Sequence, residues 1–195
     1  MSGGHRGGHR GAPGRIRIIG GHLRNSRLDV PDLPGLRPTA ERLRETLFNW
    51  LAPTIAGARV LDLCAGTGAL GIEALSRGAA SAQFVESDAR AAQALRGNLD
   101  RLGVAAAEVA TREAQAFLRD TAQPFDLVLL DPPFALDLWQ ALADQLEHGG
   151  WLAPAAQIYV EAPRTASPRL PANWQRHRES LAGDARGALY RRPTA

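Results

Sequence analysis

Asp62 stands four residues before Gly66 in D-L-C-A-G-T-G-A-L-G (62–71), where Gly66, Gly68 and Gly71 spell G-x-G-x-x-G. Such a loop brings backbone close to a ligand when it follows a strand and opens a helix. A dinucleotide would present a pyrophosphate, which a carboxylate repels, and the loop holds no arginine to compensate. A cationic ligand reverses the sign. S-adenosylmethionine carries a sulfonium and an ammonium group, and Asp62 can attract either one directly or through water. The glycines then serve close approach rather than phosphate binding. Glu86, twenty residues after Gly66, can accept both ribose hydroxyls of a nucleoside, whichever cofactor carries it. Ala65 and Thr67 belong to the same loop. Glu113 and Ala114 are expected where an adenine edge would lie; an exposed first-turn glutamate explains Glu113 equally well, and Asp88 reads as a helix cap.

D-P-P-F (131–134) points to the acceptor. An exocyclic amine on a base is a poor nucleophile because its lone pair is delocalised into the ring. The Asp131 carboxylate and the Pro132 carbonyl can each take one amine hydrogen, which drives the nitrogen toward tetrahedral geometry. The prolines restrict φ and hold the loop open. Phe134 offers a face for a base drawn out of its stack. Asp131, Pro132 and Phe134 are the expected catalytic group.

The elements that must position these residues follow from periodicity. R-I-R-I-I-G-G (15–21) and R-L-D-V-P (27–31) flank a turn and predict a β-hairpin. Residues 31–38 form a proline-punctuated link. Thr39 is a plausible N-cap for a helix over 40–51, with Leu43, Leu47, Phe48 and Leu51 on one stripe. Strands over 58–65, 81–88, 106–113, 125–134 and 155–163 alternate with helices over 68–78, 89–103 and 136–150. The segments 174–183 and 185–193 close as an antiparallel pair. This alternation predicts a doubly wound, mostly parallel sheet, with ligands at the carboxyl ends of its strands.

The chain of 195 residues is 45% hydrophobic and 22% charged, enough for one sizeable core. Its single cysteine, Cys64, excludes an internal disulfide and a cysteine-rich metal cluster, and no metal is expected. No apolar run is long enough to cross a bilayer. Residues 1–14 lack the apolar core of a secretory signal. They read as a disordered Gly/His/Arg tail without a fixed metal site. A cytoplasmic monomer is expected.

The formal charge is +3, with every basic residue an arginine. Residues 1–44 hold nine arginines against Asp29, Asp32 and Glu41, a net of +6, which leaves −3 on the remainder. Arginine suits phosphate, so this asymmetry is compatible with a polyanionic partner as well as with plain solvation. Within the first helix, one of Arg42 and Arg44 could meet phosphate while the other pairs with Glu41 or Glu45.

The segments R-I-R-I-I-G-G, P-G-L-R-P-T-A-E-R-L-R-E-T-L-F-N-W-L, V-L-D-L-C-A-G-T-G-A-L-G-I-E-A-L-S-R-G-A, L-L-D-P-P-F and P-A-N-W-Q-R-H-R-E closely resemble the bacterial 16S rRNA guanine-N2 methyltransferases of the RsmD type. The likeness runs in matching order from about residue 15 to residue 192. It implies a class I methyltransferase fold: a seven-stranded, mostly parallel sheet with the last strand antiparallel, and an N-terminal hairpin extension. The domain plan is then a tail (1–14), a basic hairpin and linker (15–36) and a methyltransferase domain (37–195). The resemblance further implies S-adenosylmethionine as donor and a guanine of 16S rRNA in the small ribosomal subunit as acceptor. It assigns Asp62, Gly66 and Gly68 to the donor loop, Glu86 to the ribose, and residues 131–134 to catalysis. Arg37, Thr39 and Arg42 match the block near donor and target base. Arg15, Arg17, Arg24 and Arg27 are expected to meet rRNA phosphates together with Arg37 and Arg42. Glu113 departs from the amide-type residue of some relatives.

Adenine-N6 and glutamine-N5 methyltransferases share the acceptor-loop logic, with Asn commonly in the first position, where this chain has acceptor-only Asp131. A catalytically silent rRNA-binding assembly factor is the rival of another class; intact Asp62, Glu86 and Asp131 argue against it.

Overall fold

The computed structural model describes residues 14–33 and 39–193; Arg37 and the segment before Gly14 lie outside the described residues. The elements are β1 (Gly14–Arg17), β2 (Arg27–Val30), α1 (Glu41–Leu51), β3 (Arg59–Asp62), α2 (Ala69–Ser76), β4 (Ser81–Glu86), α3 (Ala89–Arg101), β5 (Ala107–Thr111), α4 (Ala114–Phe117), β6 (Phe125–Leu130), α5 (Trp139–His148), β7 (Leu152–Pro163), β8 (Gln175–Ala182) and β9 (Ala185–Arg191). β1 and β2 form a separate antiparallel ribbon. The other seven strands form one sheet in the order β5-β4-β3-β6-β7-β9-β8, in which β9 runs antiparallel to both of its neighbours. This is the arrangement the resemblance implies.

Side chains alternate across the strands and fill two cores. On one face Val60, Phe84, Leu127, Leu129 and Tyr159 pack beneath α1, α2 and α3. On the other, Leu61, Val85, Val128, Leu130 and Val160 pack beneath α4 and α5. The central strands are buried on both faces, which explains their unbroken apolar runs. Ile16, Ile18, Leu28 and Val30 of the ribbon join the first core.

The ribbon is fastened to α2. The carboxylate of Glu73 is fully buried; it accepts from the backbone N–H groups of Ile19 and Gly20, both at 2.8 Å, and from Arg77 Nε at 2.8 Å. Arg44, 1% exposed, lies 3.8 Å from the same carboxylate. Ser76 Oγ donates to Gly20 O and accepts from Leu23 N. Gly21, at φ +75°, passes so close to the Ser76 carbonyl that a Cβ would overlap it. On α3, Asn98 exchanges two 3.0 Å hydrogen bonds with the backbone of Asp29.

Several expectations need correction. Thr39 does not cap α1: Ala40 holds that position without a side-chain bond, and Thr39 Oγ1 donates to Asp131 instead. Arg44 pairs with Glu73 from a distant helix rather than with Glu41 or Glu45. The strand before D-P-P-F ends at Leu130, because proline has no N–H for the ladder. Phe134 begins a single 3-10 turn, and α5 starts only at Trp139.

Candidate active site

The carboxyl ends of β3, β4 and β6 open into one cavity of about 660 Å³, lined from the donor loop, Glu86, the acceptor loop and Glu161. The cavity takes shape around the bend after β3. Gly66 (φ +53°) and Gly68 (φ +74°) adopt left-handed backbone there. Gly68 precedes α2, and a Cβ on it would lie 2.2 Å from Leu95. A Cβ on Gly71 would lie 2.3 Å from the Phe84 ring. The three glycines therefore do different work. Gly66 lines the cavity, Gly68 turns the chain into α2, and Gly71 lets that helix press on the sheet.

Asp62, 2% exposed, accepts one bond from Gly71 N at 3.0 Å. Burial pushes its carboxyl up to about 7, the Gly71 bond opposing and Glu86 adding. Glu86 holds the loop from the next strand: Oε2 accepts from Gly66 N and Oε1 from Asp88 N, both at 2.7 Å. Each oxygen keeps further acceptor capacity for a ribose hydroxyl. Asp88 caps α3 through Arg90 N and Ala91 N, bonds that hold its carboxyl below the usual range. Ala65, Thr67, Glu113 and Ala114 all line the cavity, with Glu113 exposed and Ala114 buried. Cys64 also lines it; burial and neighbouring acids push its thiol far up, so it is no thiolate nucleophile.

Asp131 follows β6, and Thr39 Oγ1 donates to its Oδ2 at 3.1 Å. Burial, then the nearby Glu161 carboxyl, push Asp131 well above the usual carboxylate range. Pro132 and Phe134 line the same cavity, and the Phe134 ring packs 5.9 Å from that of Trp139. Glu161 was not singled out from the sequence. Its signal was a lone acid in the apolar run Q-I-Y-V-E-A-P, on the strand paired with the one that leads into D-P-P-F.

Among the described residues, the cavity lining carries seven carboxyl groups against one arginine, Arg112, which is tied to Asp120. That balance suits a cation and repels a pyrophosphate. With Glu86 free to accept hydroxyls and Asp62 buried without a counter-charge, the residues fit S-adenosylmethionine. Among the described residues, no group of three or more His, Cys, Asp or Glu side chains is placed to hold a metal ion.

The expected RNA contacts divide. Arg15 lies 3.6 Å from Asp29, and Arg17 donates to Glu41 at 2.6 Å. Arg24, Arg27 and Arg42 are exposed and make no side-chain ion pair among the described residues.

A family model described as Conserved hypothetical protein 95 matches residues 16–191. Ribosomal RNA small subunit methyltransferase D of Escherichia coli K12 is 50% identical over 92% of this chain and 91% of its own length. The protein of the same name from Haemophilus influenzae is 42% identical over 92% of this chain and 95% of its own. The chain belongs to this methyltransferase D family. The solved structure of yhhF from Escherichia coli, 46% identical, overlays with a TM-score of 0.86, covering 93% of this chain and 100% of that one. The family places the chain among enzymes, and the donor-loop and acceptor-loop motifs occupy one cavity in the fold that its members share.

Proposed function

We propose that the protein transfers the methyl group of S-adenosylmethionine to the exocyclic N2 amine of a guanine in 16S rRNA, within the small ribosomal subunit. The observation that carries this reading is the meeting of Asp131 and Pro132 with Asp62, Gly66 and Glu86 around one cavity. The names of the relatives support rRNA as substrate.

Bound, the donor supplies a methyl group on a sulfonium, which is a good leaving group. The Asp131 carboxylate and the Pro132 carbonyl accept the two amine hydrogens and aim the nitrogen lone pair at that methyl. An N–C bond forms as the C–S bond breaks, and the surplus amine proton passes to Asp131. A carboxyl held above its ordinary range is a competent proton acceptor. Phe134 supports the base, and the exposed Arg24, Arg27 and Arg42 meet phosphate. Most of the rate enhancement comes from positioning the two reactants in line.

The test is single-turnover transfer of labelled methyl to small subunits lacking the modification, followed by nucleoside mass spectrometry. Asp131→Asn keeps an acceptor oxygen but loses the charge; Asp131→Ala loses both. Rates should fall in the order wild type, Asn, Ala, with donor affinity nearly unchanged. Near-normal transfer by Asp131→Ala defeats the mechanism, and a product other than N2-methylguanine defeats the substrate.

A further inference from the structure

Among the described residues, Glu161 is the one buried cavity carboxyl that neither the loop 62–71 nor the acceptor tetrapeptide accounts for. β6 and β7 run parallel with Leu130 opposite Val160, so Asp131 and Glu161 follow side by side at the carboxyl ends of neighbouring strands. Glu161 is 5% exposed, and its Oε2 accepts from Tyr159 Oη at 2.9 Å. Tyr159, 1% exposed, shares a face with Glu161 because side chains two apart on a strand point the same way. On β9, Gly187 makes room: a Cβ there would lie 2.4 Å from the Tyr159 hydroxyl. The main chain is pinned as well, since Trp139 Nε1 donates to Glu161 O at 2.8 Å. Burial pushes the Glu161 carboxyl above its usual range, with the Tyr159 and Thr39 hydroxyls opposing.

Once a bound cationic donor favours the ionised form of both, the two side-by-side carboxyls make an acceptor–acceptor pair about one strand spacing apart, roughly 4.8 Å at the backbone. The base that matches such a pair must carry two donors on adjacent atoms. Guanine does, with N1–H beside its N2 amine. Adenine sets its N6 amine beside the N1 lone pair, and cytosine sets its N4 amine beside the N3 lone pair. Either would turn a lone pair toward a carboxylate. Uracil has no amine.

We propose that Glu161 selects guanine: its carboxyl accepts the N1–H of the base whose exocyclic amine is held by Asp131 and Pro132. The proposal rests on the guanine-N2 reading above and adds to it the residue that enforces the choice. Tyr159 and Gly187 act through Glu161 as positioning residues.

The test compares guanine with 2-aminopurine, which keeps the C2 amine but has a lone pair at N1, ligated into the target position of small-subunit rRNA and assembled into particles. Wild type should prefer guanine by about tenfold to a hundredfold in single-turnover rate, the range for a lost charge-assisted hydrogen bond. Glu161→Gln can turn an amide N–H toward the N1 lone pair, so the preference, read at saturating donor, should narrow at least tenfold. Glu161→Asp, which keeps an acceptor, should retain the preference. An unchanged guanine preference in donor-binding Glu161→Gln overturns the proposal. Equal use of both bases by wild type overturns it without any variant. N2-methylguanine formed with an unchanged preference sinks only the role of Glu161; a different product from the guanine substrate sinks the function assigned above as well.

Discussion

Replacing Glu73 by Gln should loosen the ribbon while sparing the donor site. The glutamate accepts from two backbone N–H groups at 2.8 Å and from Arg77, and it lies 3.8 Å from Nη1 of buried Arg44, whose Nε and Nη1 have no hydrogen-bond partner among the described residues. A glutamine keeps one acceptor oxygen for Ile19 or Gly20 but turns an N–H toward the other. That leaves one backbone donor unsatisfied, worth about 1–3 kcal/mol. Arg44 loses its counter-charge, and breaking a buried pair costs about 3–5 kcal/mol; the 3.8 Å separation argues for the low end. Arg77 is partly exposed and can turn to water. The expected loss is therefore about 4–6 kcal/mol, or roughly 8–24 °C in Tm at about 2–4 °C per kcal/mol for a chain of this size. Thermal and urea denaturation measure it. Adding Arg44→Met should recover part of the loss, because the orphaned cation is gone. A Glu73→Gln loss below about 1 kcal/mol, or no recovery in the double variant, would refute the clamp.

Glu86→Ala should weaken donor binding by about 1.5–3 kcal/mol, read by calorimetry, with an additional effect from the freed Gly66 and Asp88 amides. Donor affinity should climb with pH from 5.5 to about 7 and then level off. Asp62 is protonated below about 7 in the free protein, and a cationic ligand favours its ionised form, so binding releases a proton. Flat affinity across that window would remove Asp62 from cation binding. Neutralising Arg24 and Arg27 should shallow the slope of log RNA affinity against log salt by about one unit for each phosphate no longer neutralised, whereas neutralising Arg15 should matter less because Asp29 already engages it.

Much of the scaffold was legible because parallel strands buried on both faces write themselves as short apolar runs. All of the expected strands formed, mostly trimmed by a few residues. The bend after β3 was legible from its glycines, and the place of Glu86 beside it from its spacing. What stayed hidden was long-range. Thr39 looks like a cap because capping is local chemistry, whereas its partner Asp131 is 92 residues away. Arg44 and Glu73 read as ordinary helix charges, since nothing near them in sequence reveals that both are buried. Glu161 becomes meaningful only once strand order sets it beside Asp131.

The ribbon's fastenings also dictate a timetable. Its partners lie 54 residues downstream at Glu73, 69 at Asn98 and 74 at Arg101, which donates to Arg27 O. At synthesis rates of about 5–20 residues per second, roughly 4–15 s separate the making of the ribbon from that of its last fastener. An isolated two-stranded ribbon is marginal in water. The ribbon, made well before its fasteners, is thus among the last parts to settle, and in the interval Ile16, Ile18, Leu28 and Val30 have no core to enter. Nascent chains stalled before Asn98 should show the ribbon open to protease, and chains stalled well beyond Arg101 should show it protected.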